Sequence, residues 1–173
     1  MLFSSLVAIA SAALASATPT KRVDNREWIN LKASYGYEGQ DLCVGLPPIA
    51  SGSYLGGAIC GTGNATISDL TTLIALYGAG KSGLLEITKY GCPTSTGADL
   101  TGASNIPVVD CDIYDENQFW TIQSNGSVTN DATGTCLTFG RKAPSAPLTL
   151  NTCDSPEGPL AKAQLFYYDD VSA

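Results

Sequence analysis

The sequence predicts an all-β fold built from three copies of one unit, and three observations carry that expectation. Six cysteines fall as three pairs of nearly equal span: Cys43 with Cys60, Cys92 with Cys111, and Cys136 with Cys153. Two of these pairs are followed by Gln-x-aromatic, at Gln118-Phe119-Trp120 and Gln164-Leu165-Phe166. Short apolar runs alternate with clusters of Gly, Pro, Ser and Thr, the pattern of strands separated by turns. A period of roughly forty to fifty residues, each unit with its own candidate disulfide, implies units that stack to bury a shared core.

Taken in order, the chain opens with a leader. Residues 1–17 run from Met1 through an apolar, alanine-rich stretch to Ala15-Ser16-Ala17, a small-x-small cleavage pattern, and read as a secretory signal peptide. The run is too short and too rich in serine for a membrane span, and no other stretch approaches spanning length. Residues 18–22 end in Lys21-Arg22, a dibasic pair of the kind trimmed by secretory processing proteases, so a short pro-segment is expected and the mature domain is 23–173. The expected location is extracellular. An even cysteine count in a secreted chain reads as disulfides.

The strand signals follow. Trp28-Ile29-Asn30-Leu31, Leu84 to Thr88, Leu148-Thr149-Leu150 and Gln164 to Tyr168 are short apolar runs. Phe119 to Gln123 alternates, turns at Ser124-Asn125-Gly126 and resumes at Ser127-Val128-Thr129, a β-hairpin. Leu70 to Tyr77 has helical periodicity, but repeat alignment places a strand there. Two longer loops, Leu46 to Tyr54 and Pro93 to Pro107, are either recognition loops or solvated excursions. Many short strands of this kind form a barrel or a sandwich.

Composition narrows the function. The 9 basic and 16 acidic residues give a net charge of −7, and loss of Lys21 and Arg22 leaves −9. The remaining basic residues are scattered, which argues against a nucleic-acid partner, since phosphate binding needs clustered Lys and Arg. With no histidine and no CxxC, zinc ligation is disfavoured and imidazole-based catalysis is removed. No metal and no cofactor are expected. Two sequons, Asn64-Ala65-Thr66 and Asn125-Gly126-Ser127, are candidate N-glycan sites, and Asn125 is equally a hairpin-turn residue.

The repeat can be written out further. Gly134-Thr135-Cys136-Leu137 precedes Pro147 to Cys153 and then Gln164-Leu165-Phe166, while Cys92 precedes Val108-Val109-Asp110-Cys111 and then Asn117-Gln118-Phe119-Trp120. This pattern resembles the ricin-type lectin family, most specifically from Gln118 through Leu137. The first unit is the most diverged: Thr72-Leu73-Ile74 stands where Gln-x-Trp is expected. The resemblance implies a β-trefoil of three repeats with one disulfide within each. It also implies Trp120 and Phe166 in the core, and Gln118 and Gln164 bonded to backbone nearby.

A working sugar site in that family has an Asp two residues after the first Cys of its unit, an aromatic two before the second, and an Asn before the Gln. Here the first position holds Gly45, Thr94 and Thr138, and the second holds Ala58, Val109 and Asn151. The third holds Thr71, Asn117 and Ala163, so only Asn117 matches. The densest polar cluster, Asp110 to Asn117, lies where the second site would form. Asp112, Tyr114, Asp115 and Asn117 are the candidate ligand-binding residues, with carboxylates for sugar hydroxyls and Tyr114 for stacking. A solvated acidic loop is the plain alternative.

The expected function is non-catalytic binding of a glycan or polysaccharide through a diverged site. A second reading is a trefoil that binds a protein partner, as an effector or protease inhibitor, through its long loops. A glycoside hydrolase, using carboxylates such as Asp112, Asp115, Glu116, Asp69 or Asp154, is the least supported. Tyr35, Tyr37 and Tyr54 form an alternative stacking platform or, equally, packing residues.

Overall fold

A computed structural model describes residues 27–46, 54–60, 73–75, 82–87 and 90–170. Residues 1–22, where the sequence predicts a leader and a pro-segment, together with Asn64, Asp69, Thr71 and most of the first long loop, lie outside these residues. The described strands are β1 (Glu27–Ala33), β2 (Leu42–Gly45), β3 (Gly56–Ile59), β4 (Leu73–Ala75), β5 (Ser82–Ile87), β6 (Cys92–Pro93), β7 (Val108–Val109), β8 (Phe119–Ile122), β9 (Val128–Asn130), β10 (Cys136–Phe139), β11 (Leu148–Asn151) and β12 (Phe166–Asp170). No described helix is long and apolar enough to cross a membrane.

Ten strands join in the order β11-β10-β9-β8-β5-β4-β1-β2-β3, with β12 also on β1. Every pairing is antiparallel, as short connections between consecutive strands allow. The two ends of that path meet. Gly57 N–H donates to Ala146 O at 2.9 Å and Leu148 N–H donates to Leu55 O at 3.0 Å, which closes the sheet into a barrel without a free edge at the seam. Gly57 has to be small there, because a Cβ would sit 2.7 Å from the Phe139 ring.

Inside the barrel, alternate residues of each strand converge. Ile29 and Leu31 of β1 meet Leu42 and Val44 of β2, Leu85 and Ile87 of β5, Ile122 of β8, and Leu148 and Leu150 of β11. Trp120 and Phe166 are both 2 % exposed in this core, as the resemblance implies. The Trp120 indole donates to Pro93 O at 3.0 Å, satisfying its one polar group. Phe119, on the opposite face of β8, is also buried, in a separate small cluster with Leu84 and Cys92. The three disulfides join Cys43 to Cys60, Cys92 to Cys111 and Cys136 to Cys153. Each starts in the first strand of a pair (β2/β3, β6/β7, β10/β11) and ends just beyond the second.

The Leu70 to Tyr77 region contains a strand, β4, paired with β1 and β5. The last apolar run needs a correction. Gln164 is not in a strand but ends a single-turn 3-10 helix, Ala161–Gln164, and β12 begins only at Phe166. Gln118 likewise ends a 3-10 helix, Glu116–Gln118. In both units the tight turn brings the Gln side chain inward immediately before the aromatic enters the barrel.

Candidate functional site

The loop from Asp110 to Asn117 is shaped from below by Gln118. This side chain is 2 % exposed, and its Oε1 accepts from Asp112 N–H at 2.8 Å while its Nε2 donates to Asp110 O at 3.0 Å. Both ends of the amide are thereby satisfied, as burial requires. Gln164 repeats the arrangement, accepting from Asp154 N–H at 2.7 Å and donating to Thr152 O at 3.0 Å. The Gln-x-aromatic pair is thus a device that ties a loop to the core.

Within the loop, Asp112 Oδ1 accepts from Tyr114 N–H at 2.8 Å, a local turn that points the tyrosine outward. Asp115 caps the first 3-10 helix, its Oδ1 accepting from Asn117 N–H at 3.0 Å and Asn117 Nδ2 at 2.8 Å. Asn117 Oδ1 accepts from Ser95 Oγ at 3.1 Å, and its carbonyl accepts from Ser95 N–H at 3.0 Å and Asn130 Nδ2 at 2.8 Å. Asn117 is therefore a half-buried brace joining the loop to its neighbours.

Asn130 extends the brace. It is fully buried, its Nδ2 also donating to Phe119 O at 3.2 Å and its Oδ1 accepting from Thr133 N–H at 3.2 Å. This pins the turn after β9 against the loop. Asp131, beside it, accepts from Thr121 Oγ1 at 2.8 Å. Between the two segments lies an open cleft of about 390 Å³, lined by Ile113, Tyr114, Glu116, Phe119, Asp131 and Ala132, with Ser82 of β5 at one side. Tyr114 is 86 % exposed at its rim and Ile113 is 59 % exposed beside it.

Of the four residues singled out from the sequence, Tyr114 alone lines this cleft, whereas Asp112, Asp115 and Asn117 hold the loop that presents it. Glu116 comes from the same acidic cluster, whereas Ser82, Asp131 and Ala132 are not among the residues the sequence singles out. No local pattern marks them, because β5–β8 pairing and the Asn130 bonds bring them in from distant sequence.

The positions of the family's usual site are occupied differently. Thr94 and Thr138 are buried, and Thr138 Oγ1 donates to Cys136 O while accepting from Gln164 Nε2 at 3.0 Å. Ala58 is buried, Val109 exposed, and Asn151 Nδ2 donates to Thr149 Oγ1 at 3.1 Å. The 93–107 loop is folded rather than simply solvated: Thr94 N–H donates to Pro107 O, and Ile106 is fully buried. On it, the hydroxyl and backbone N–H of Thr101 hold the Asp99 carboxyl below its ordinary pKa.

Of the three tyrosines set apart in the sequence, Tyr35 and Tyr37 pack against the core. Tyr35 packs edge-on against Phe139 at 5.8 Å with Lys142 4.7 Å over its ring, and Tyr37 and Tyr54 are half-buried.

A closed antiparallel barrel with three like disulfide-linked strand pairs and two core-anchored Gln-x-aromatic segments defines a β-trefoil. The model of the ricin-type beta-trefoil lectin domain matches residues 85–173. The chain belongs to that family. The match begins within β5, after the first unit, where Gln-x-Trp is missing.

Among solved structures, a designed threefold-symmetric protein, ThreeFoil, superposes with a TM-score of 0.63 at 12 % identity, covering 83 % of this chain and 99 % of that one. The agglutinin from Abrus precatorius gives 0.60 at 16 % identity over 87 % of this chain and 51 % of its own. The C-half of an earthworm R-type lectin, solved with GalNAc, gives 0.54 at 13 % identity over 83 % of this chain and 98 % of that one. These likenesses show the fold. Comparison with curated protein sequences gives no match.

Proposed function

We propose that this chain is a secreted, non-catalytic carbohydrate-binding protein whose ligand contacts the cleft beside Tyr114 in place of the family's usual triads. The observation that carries the reading is an aromatic ring 86 % exposed, on a loop braced at both ends, at the edge of an open cleft. A free aromatic of this kind offers its face to the C–H side of a pyranose. Glu116, Asp131 and the Ser82 hydroxyl line the same cleft and supply acceptors and a donor for sugar hydroxyls. Family membership, together with lectins among the structural neighbours, supports sugar as the ligand class. Secretion is supported by the leader-like first residues and by three disulfides, which persist in oxidising compartments.

The test is binding of the folded, mature protein to a broad array of glycans and cell-wall polysaccharides, repeated with Tyr114→Ala. Competable binding that the substitution weakens supports the proposal. Silence across the array from folded protein overturns it and directs the search to a protein partner.

A further inference from the structure

A second cleft, of about 510 Å³, lies beside the other 3-10 helix. Its apolar lining is Pro156, Ala161, Leu165 and the Cys136–Cys153 disulfide, and Asn125 and Ser127 line it as well. Those two residues belong to the sequon Asn125-Gly126-Ser127.

We propose that Asn125 carries an N-linked glycan and that the first sugars of this glycan occupy the second cleft. The inference rests on the secretory reading given above. In the transfer, the Asn125 Nδ2 attacks C1 of an oligosaccharide carried on a polyprenyl diphosphate. The Nδ2–C1 bond forms, the C1–O bond to the diphosphate breaks, the lipid diphosphate leaves, and the amide nitrogen loses one proton to base. Transfer precedes folding, so the fold must then leave room for the sugar.

The hairpin tip does so. Asn125 is exposed, and both hydrogen bonds of its side chain fall on Oδ1, which accepts from Ser127 N–H at 3.0 Å and Ser127 Oγ at 2.8 Å. Nδ2 is the atom left for the glycosidic bond. The tip is also held against the cleft. Gly126 O accepts from Phe166 N–H at 2.8 Å, and a Cβ on Gly126 would lie 2.6 Å from Leu165 Cδ1.

A sugar on Asn125 thus starts at the cleft wall, with Leu165 and Pro156 facing its apolar side and Lys162 and Ser155 within the same lining for its hydroxyls. Because the sugar is tethered, its effective concentration at the cleft is on the order of millimolar or higher, so weak contacts suffice to keep it there. One of the two clefts beside the 3-10 helices is then filled by the chain's own glycan, and the Tyr114 cleft remains open.

The experiment secretes the full chain, with its own leader, from a eukaryotic host and maps glycopeptides by mass spectrometry. Hydrogen exchange across residues 153–166 is then compared between the intact glycoprotein, the same protein stripped of its whole glycan by a glycoamidase, and Ser127→Ala. Ser127→Ala abolishes the sequon yet keeps the bond from the residue 127 backbone N–H to Asn125. Occupied Asn125, with several-fold slower exchange in the intact glycoprotein than in the other two forms, is the expected result.

Secreted protein with Asn125 bare overturns the inference alone, as does an occupied Asn125 with equal exchange in all three forms. A chain retained in the cell with its leader uncleaved overturns the secretory reading, and the inference with it.

Discussion

Replacing Gln118 with leucine removes a loop tether while nearly preserving side-chain volume. The native amide makes two bonds to backbone, at 2.8 and 3.0 Å, from a site 2 % exposed. Each bond contributes about 1 kcal/mol net, and because Asp110 and Asp112 are exposed, water replaces part of what their backbone groups lose. The expected destabilisation is about 2 kcal/mol, a fall in Tm of about 6 °C for a domain of this size. Gln164→Leu removes three bonds, one to the buried Thr138 hydroxyl, and costs about 3 kcal/mol.

The two substitutions separate stability from recognition. Gln118→Leu releases the loop carrying Tyr114, so ligand must order it on binding and affinity falls several-fold. Gln164→Leu, on the other 3-10 helix, leaves affinity unchanged although it destabilises more. Thermal unfolding followed by tryptophan fluorescence, with titration of whichever glycan the array identifies, measures both. Equal affinity losses in the two variants, or a Tm change below about 2 °C in each, would refute the claim that these glutamines anchor separate loops.

Tyr114→Ala is expected to weaken glycan binding by about five- to tenfold, the loss of a stacking contact worth about 1 kcal/mol, with Tm unchanged. Replacing Cys92 and Cys111 together by alanine opens a loop with a sequence separation of 19 and lowers stability by about 3 kcal/mol, read by urea unfolding under non-reducing conditions. Burial pushes the Tyr35 hydroxyl up to about 12, so between its ordinary value near 10 and that point the unfolded chain releases the proton first. The stabilisation is complete below about pH 10 and is lost as pH rises through about 12, and Tyr35→Phe flattens this part of an alkaline unfolding curve.

Much of the architecture was legible because repetition exposes it. The cysteine pairs and Gln-x-aromatic segments recur with matched spacing, and the structure uses Gln118 and Gln164 in the same way. The 3-10 helices escaped because three or four residues carry no helical periodicity. The site was only half legible. Tyr114 stands out as an aromatic in a polar loop, and the family's pattern marks Asn117, but that pattern does not carry the bonds to Asp115 and Ser95 by which Asn117 braces the loop. The opposite wall, Asp131 and Ala132, depends on the buried Asn130, whose role as a bridge is a property of contacts and not of composition.

The pairing of β1 with β12, Ile29 opposite Asp170 and Ala33 opposite Phe166, sets the first and last described strands side by side, a strand spacing of about 4.8 Å apart. A barrel whose two ends adjoin can be spliced into a surface loop of a host protein with its backbone undistorted. Its ends can equally be joined by a short linker and the chain reopened at the exposed segment Gly140–Lys142. Such a permuted chain keeps all three disulfides and both Gln tethers, since none of those contacts depends on where the polypeptide is cut.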